Sequence, residues 1–339
     1  MIVKMKKQAT VEERNNLIKA LKKRGFSIKD GSSKDVYVFG IIGDTAKLDP
    51  NDLRAYEGVE HVVRVQTPFK QASRAFKETD TIVTLSNDVT IGGGNTVMIA
   101  GPCSVESETQ LMTITKALHE QGVRVLRGGA FKPRTSPYTF QGLEEEGLRL
   151  LRKAADTFDM AVISEIPSAD LLPLFETYVD IIQVGARNMQ NFQLLKALGK
   201  STLPIMLKRG LSATIEEWLM SAEYIISHGN PNVILCERGI RTFETYTRNT
   251  LDISAVLAVK ELSHLPIIVD PSHASGRWSM IEPLSKAALS VGADGLMVEV
   301  HNDPENALSD GAQSLKIPRF DAMMTELKRV SSIAERPLK

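Results

Sequence analysis

The chain is poor in cysteine, with only Cys103 and Cys236 among 339 residues. That excludes a disulfide framework and fits a reducing compartment, so each thiol needs its own explanation. It also has no net charge, because 41 basic groups balance 41 acidic ones. A neutral balance recruits neither nucleic acid nor an anionic membrane, and any anion site must be local. No apolar run approaches the roughly 18 residues of a membrane span, and the opening MIVKMKKQATVEERNN lacks the apolar core of a signal peptide. The expectation is a cytoplasmic protein with no membrane or nucleic-acid partner. What is present, 42% hydrophobic and 24% charged residues, describes a globular chain able to bury a large core.

Two patterns divide it. Residues 1–66 read as strand (2–5), helix (11–24), strands (27–29 and 35–42), short helix (50–56) and strand (61–65). Thr10 and Glu13 have capping-box spacing, Gly25 stops the first helix, and Leu17, Ile18 and Leu21 give it an apolar stripe. This βαββαβ order matches a ferredoxin-like unit. Residues 67–80, polar and carrying a proline, read as a linker.

Residues 81–339 open with a short two-strand pattern around Ser86, Asn87 and Asp88. Eight apolar runs follow, at 97–100, 123–126, 161–164, 181–184, 205–207, 233–235, 267–269 and 296–300, separated by amphipathic stretches. Apolar strands alternating with helices mean a parallel sheet covered on its outer face, and eight such units predict a closed (β/α)8 barrel. A doubly wound open sheet is the alternative, but no G-x-G-x-x-G follows the first strand. Gly92, Gly93 and Gly94 precede it and are expected to turn a hairpin that plugs the barrel's bottom.

In such a barrel chemistry gathers where strands end. Arg127, Lys132, Arg134, Arg187, Lys208 and Arg238 all lie there. Several cations in one partly desolvated mouth are unstable unless anions bind. Guanidinium forks suit phosphate and carboxylate, and so many cations exceed the needs of one phosphate. Two phosphorylated substrates, or two phosphates and a carboxylate, are implied; taken singly, each cation could be a solvated loop charge. A second group, Cys103, His273, Glu299 and Asp310, falls on the first, seventh and eighth loops. Thiolate, imidazole and carboxylates together suit a divalent ion such as Mn, Fe, Co or Zn. The competing reading makes Cys103 a small packing residue and His273 a hydrogen-bonding group. Cys236 reads as packing.

The stretches IAGPCSVE (99–106), LRGGAFKPRTSPYTFQG (126–142), QVGARNMQNF (183–192), LKRG (207–210), CERGIRTFE (236–244), VDPSHASGR (269–277), VEVH (298–301) and LSDGAQSL (308–315) run in this order along the chain. Together they resemble the 3-deoxy-D-arabino-heptulosonate-7-phosphate (DAHP) synthases, in the short microbial form with an N-terminal ferredoxin-like domain. The resemblance implies condensation of phosphoenolpyruvate with erythrose 4-phosphate as the first step of the shikimate pathway. It implies that Arg127, Lys132, Ala186, Arg187, Lys208 and Arg238 bind phosphoenolpyruvate. Lys132, Pro133, Arg134, Thr135 and Ser136 would hold the aldose phosphate. It makes Cys103, His273, Glu299 and Asp310 metal ligands and puts Asp270 beside the aldehyde. Lys132, set among other cations, is the candidate to protonate the new alkoxide. A tetramer and feedback inhibition by tyrosine or phenylalanine through residues 1–66 are further expectations. The sister family, 3-deoxy-D-manno-octulosonate-8-phosphate synthase, takes arabinose 5-phosphate and is the alternative; Lys132-Pro133-Arg134-Thr135-Ser136 favours the four-carbon sugar. An imine-forming aldolase using Lys208, and a catalytically silent sugar-phosphate sensor, are the remaining rivals.

Overall fold

The computed structural model describes all residues except 34–35, 44, 46–47, 65–67, 133–137, 335 and 339. The chain divides into two units, 1–80 with 261–264, and 81–260 with 265–339.

In the first unit four strands, β1 (Ile2–Met5), β2 (Ser27–Asp30), β3 (Tyr37–Ile42) and β4 (Val59–Val63), form an antiparallel sheet in the order β2-β3-β1-β4. Helices α1 (Val11–Lys23) and α2 (Pro50–Arg54) complete the βαββαβ pattern. The capping box is formed: Glu13 N–H donates to Thr10 Oγ1 at 3.2 Å, and Thr10 N–H donates to Glu13 Oε2 at 2.6 Å. Such a cap is worth about 1 kcal/mol. Leu17 and Leu21 bury the helix stripe against Val3, Phe39 and Ile41. Residues 68–80, which composition alone makes a linker, belong to this unit instead. They bury Phe69, Ala72 and Phe76, the last against Ile2 and Val38.

The second unit is the barrel. A hairpin of β5 (Val83–Thr84) and β6 (Thr90–Ile91) precedes it. The wall consists of β7 (Val97–Gly101), β8 (Val125–Arg127), β9 (Ala161–Glu165), β10 (Ile181–Val184), β11 (Ile205–Lys208), β12 (Val233–Glu237), β13 (Ile267–Val269) and β14 (Gly295–Glu299). Every neighbouring pair is parallel, and β14 closes on β7. Around it lie α3 (Glu108–Glu120), α4 (Glu144–Thr157), α5 (Leu172–Tyr178), α6 (Phe192–Leu198), α7 (Ile215–Ser227), α8 (Ser254–Leu262), α9 (Pro271–Ser275), α10 (Trp278–Ser290) and α11 (Ile317–Ile333). No described helix is long and apolar enough to cross a membrane.

Val83, Leu85 and Ile91 of the hairpin join Val97, Ile99, Val125 and Met297 in one buried apolar cluster. The hairpin's turn lies at Ser86–Asp88, with Asp88 at φ 62°. The three glycines come after β6, all with positive φ, and lead the chain into β7. The second barrel strand also starts later than its apolar run, because Val123 N–H still bonds to Leu118 O of α3. Cys236 packs in the same cluster, fully buried, and desolvation pushes its thiol up to about 12.

Candidate active site and metal centre

Closure of β14 on β7 brings together loops that are some two hundred residues apart in sequence. Cys103 follows β7, His273 sits in α9 after β13, Glu299 ends β14, and Asp310 follows in the next loop, at φ 52°. One ligand atom from each lies within 4.8 Å of the others. Cys103 Sγ is 3.5 Å from Asp310 Oδ2, and His273 Nε2 is 3.3 Å from Glu299 Oε1. One thiol, one imidazole and two carboxylates converging on one point suit a divalent ion of intermediate softness.

The charges of this cluster are set by burial and by one another. Desolvation, then Glu299, pushes the Cys103 thiol up to about 12. Burial would raise Glu299, but His273, Arg127 and Lys132 outweigh it and hold the carboxyl below its usual range. Asp310 is likewise lowered to about 2 against burial, by Arg248, His273 and Lys132. Burial lowers His273 despite the neighbouring Asp270 and Glu299. His273 Nδ1 meets Asp270 Oδ2 at 2.7 Å, which leaves Nε2 facing Glu299. A carboxylate on the far ring nitrogen is a common orienting device for a metal-binding imidazole.

Against this cluster lies a cavity of about 490 Å³, with His273 and Asp310 on its wall. Arg127, Lys132, Ala186, Arg187, Lys208 and Arg238 line it too. Arg127 Nη1 donates to Glu299 Oε1 at 2.8 Å, so one cation touches both the cavity and the ligand cluster. Arg238 is 6% exposed, and its Nη1 has no hydrogen-bond partner among the described residues. A buried guanidinium nitrogen left unpaired is costly, and an anionic oxygen in the cavity would satisfy it. Lys132 Nζ donates to both the sulfur and the carbonyl oxygen of Cys103 at 3.1 Å. Gly129 makes room for this: a Cβ there would stand 2.7 Å from Lys132 Cδ and 2.8 Å from Cys103 O.

The described members of the expected set lie at the end of the barrel where the strands finish. Asp270 does not line the cavity. Fully buried, it caps α9, accepting from His273 N–H at 2.9 Å, and its carboxylate is shared by Lys208 and His273. It thus stands directly behind two groups that line the cavity. Pro133, Arg134, Thr135 and Ser136 lie outside the described residues. Arg248, Asn249 and Gln313 also sit at the site, and the strand-end reading passed over them. Arg248 and Asn249 lie more than ten residues beyond β12, too far for a strand-end signal, while Gln313 is an uncharged residue in the stretch that carries Asp310.

Residues 80–335 match the model of the DAHP synthetase I family, and residues 1–67 that of the DAHP synthase ferredoxin-like domain. A phospho-2-dehydro-3-deoxyheptonate aldolase from Thermotoga maritima is 51% identical over 331 residues, 98% of each chain. The crystal structure of that organism's phospho-2-dehydro-3-deoxyheptonate aldolase (DAHP synthase) superposes with a TM-score of 0.79 at 49% identity, covering 100% of this chain and 99% of the other. A 2-dehydro-3-deoxyphosphooctonate aldolase from Syntrophotalea carbinolica is 31% identical over 268 residues, 73% of this chain and 95% of its own.

Proposed function

The chain belongs to the DAHP synthetase I family and is a DAHP synthase, and on that premise we propose that it is a metal-dependent enzyme. The reaction joins phosphoenolpyruvate, erythrose 4-phosphate and water into 3-deoxy-D-arabino-heptulosonate 7-phosphate and inorganic phosphate. The observation that carries the metal dependence is the shared wall: His273 and Asp310 belong both to the four-ligand cluster and to the cation-lined cavity. An ion bound there would lie at the edge of the substrate space.

Cys103, His273, Glu299 and Asp310 would hold the ion, which when bound supplies Lewis-acid polarisation of the aldehyde. Arg187, Lys208 and Arg238 hold the phosphate of phosphoenolpyruvate, and Arg127 its carboxylate side. Holding both reactants in register removes entropy cost worth up to roughly 7 to 11 kcal/mol when alignment is good. C3 of phosphoenolpyruvate bonds to the aldehyde carbon, and the aldehyde oxygen takes a proton from Lys132 Nζ, which reaches the cavity beside Cys103. Water then adds at C2, and phosphate leaves into the arginines. Asp270 keeps Lys208 and His273 in place from behind. Pro133 to Ser136 hold the aldose phosphate in this reading, and the pathway is the opening step of aromatic biosynthesis in the cytoplasm. The deciding assay follows loss of phosphoenolpyruvate absorbance with erythrose 4-phosphate or arabinose 5-phosphate, with and without chelator. Chelator-resistant turnover removes the metal; preference for the five-carbon sugar removes the substrate.

We further read the first unit as a regulatory domain for tyrosine or phenylalanine in a homotetramer. The family match over residues 1–67 supports a dedicated added domain.

A further inference from the structure

The guanidinium of Arg248 reaches two parts of the loop beyond β14. Its Nη1 donates to Oε1 of Gln313 at 2.9 Å and lies 3.3 Å from Oδ2 of Asp310. Gln313, 2% exposed, turns its Nε2 toward Oε2 of Glu299 at 2.7 Å. The amide has one satisfactory orientation here, because a guanidinium can only donate and an ionised carboxylate can only accept. Glu299 is thereby gripped from both sides, with Oε2 held by Gln313 and Oε1 by Arg127 at 2.8 Å. Both carboxylates of the ligand cluster are tied, directly or through one amide, to a single guanidinium.

We propose that Gln313, anchored by Arg248, is a positioning residue for the metal centre, setting the direction in which Glu299 and Asp310 present oxygens to a divalent ion. The proposal rests on the reading of Cys103, His273, Glu299 and Asp310 as metal ligands. Arg248 belongs to the loop between β12 and α8 that also sends Arg241 to the cavity, and its backbone N–H is fixed by Ser275 O at 3.0 Å next to α9. The device therefore links the ion's carboxylates to a wall of the substrate space. Partners that orient metal-binding groups typically govern affinity by 10- to 100-fold, a scale that separates this role from packing. Loss of a buried amide that only fills space would lower the stability of the metal-free protein and leave ion affinity alone.

The test is cobalt(II) titration of the metal-stripped full chain, following the thiolate-to-cobalt charge-transfer absorption and obtaining Kd by competition with a chelator. Gln313→Met is expected to raise Kd roughly 10- to 100-fold. Arg248→Met, which frees the amide to turn, should raise it by a smaller factor, and Arg248→Lys should recover part of that loss. An unchanged Kd in Gln313→Met, with only the metal-free melting temperature lowered, overturns the proposal. If the unsubstituted protein takes up no cobalt, the ligand reading fails first and the proposal with it, a result visible before any variant is made. If Gln313→Met does not fold, Arg248→Met decides, since the Arg248 side chain is 39% exposed; an unchanged Kd there also overturns it.

Discussion

Lys132 Nζ lies 3.1 Å from the sulfur of Cys103, so the ammonium group that reaches the substrate cavity is in hydrogen-bond contact with a member of the ligand cluster. Cation and ion site are thereby neighbours, and a proton held on Lys132 is close to any carbonyl oxygen polarised there. Replacing Lys132 by Met should lower kcat about 10²- to 10⁴-fold, the range for loss of a general acid. Steady-state kinetics with both substrates checks this. A kcat within a factor of two or three of the parent enzyme would assign the proton to another group.

Removing the ion should stop turnover. Dialysis against a strong chelator is expected to reduce phosphoenolpyruvate consumption to background, and Mn, Co or Zn should restore it. Cys103→Ala should resist that rescue, because its loss leaves three of the four ligands. Borohydride with substrate should trap no adduct on Lys208; a trapped adduct would revive the imine mechanism.

Arg238 is the group whose nitrogen, unpaired among the described residues, most plainly awaits an anion. Arg238→Gln should raise the KM for phosphoenolpyruvate roughly 10- to 100-fold, in line with about 1.5–3 kcal/mol for a charge-assisted hydrogen bond. Erythrose 4-phosphate should be affected much less. Equal loss toward both substrates would mean that the side chain shapes the cavity instead of gripping one phosphate.

The first unit carries a built-in acid sensitivity. His264, grouped with it and 6% exposed, donates from Nε2 to Gln71 O at 2.7 Å, and burial pushes its pKa down to about 4. Its folded-state pKa lies below the unfolded value of 6.5. As pH falls through 6.5, the unfolded chain takes up a proton that the native one refuses. Stability therefore falls until about pH 4, where the native histidine also protonates, by about 3 kcal/mol at full extent. Denaturant titrations between these pH values should show a steeper decline in the parent than in His264→Gln. Parallel curves would show that the histidine contributes nothing to acid sensitivity.

Feedback control should depend on the first unit. A chain beginning at Thr81 is expected to keep catalysis and lose inhibition by tyrosine, as judged by assays with and without the amino acid. Full inhibition of the shortened chain would move the effector site into the barrel.

Much of the fold is legible in the order of residues. Eight apolar runs separated by amphipathic stretches announce a closed parallel barrel, because burial on both faces requires apolar residues throughout each strand and a helix between strands to return the chain. Cations at successive strand ends are readable for the same reason, since strand ends in this fold face one mouth. The capping box before α1 is equally local, a matter of Thr10 and Glu13 alone. Residues 68–80 are not legible in this way: Phe69 and Phe76 sit in a polar stretch, and only partners such as Ile2 and Val38 make Phe76 part of a core.

What the sequence by itself determined, then, is the kind of fold and the inventory of charge at its mouth, both consequences of short-range periodicity. Tertiary structure alone decided the directions of side chains. It set the Asp270 carboxylate against both Lys208 and His273, left Arg238 with a nitrogen unpaired among the described residues, and joined Arg248 through Gln313 to Glu299. Those outcomes depend on the parallel pairing of β11, β12, β13 and β14, which places residues remote in sequence within hydrogen-bond reach, and no local pattern encodes a contact of that span.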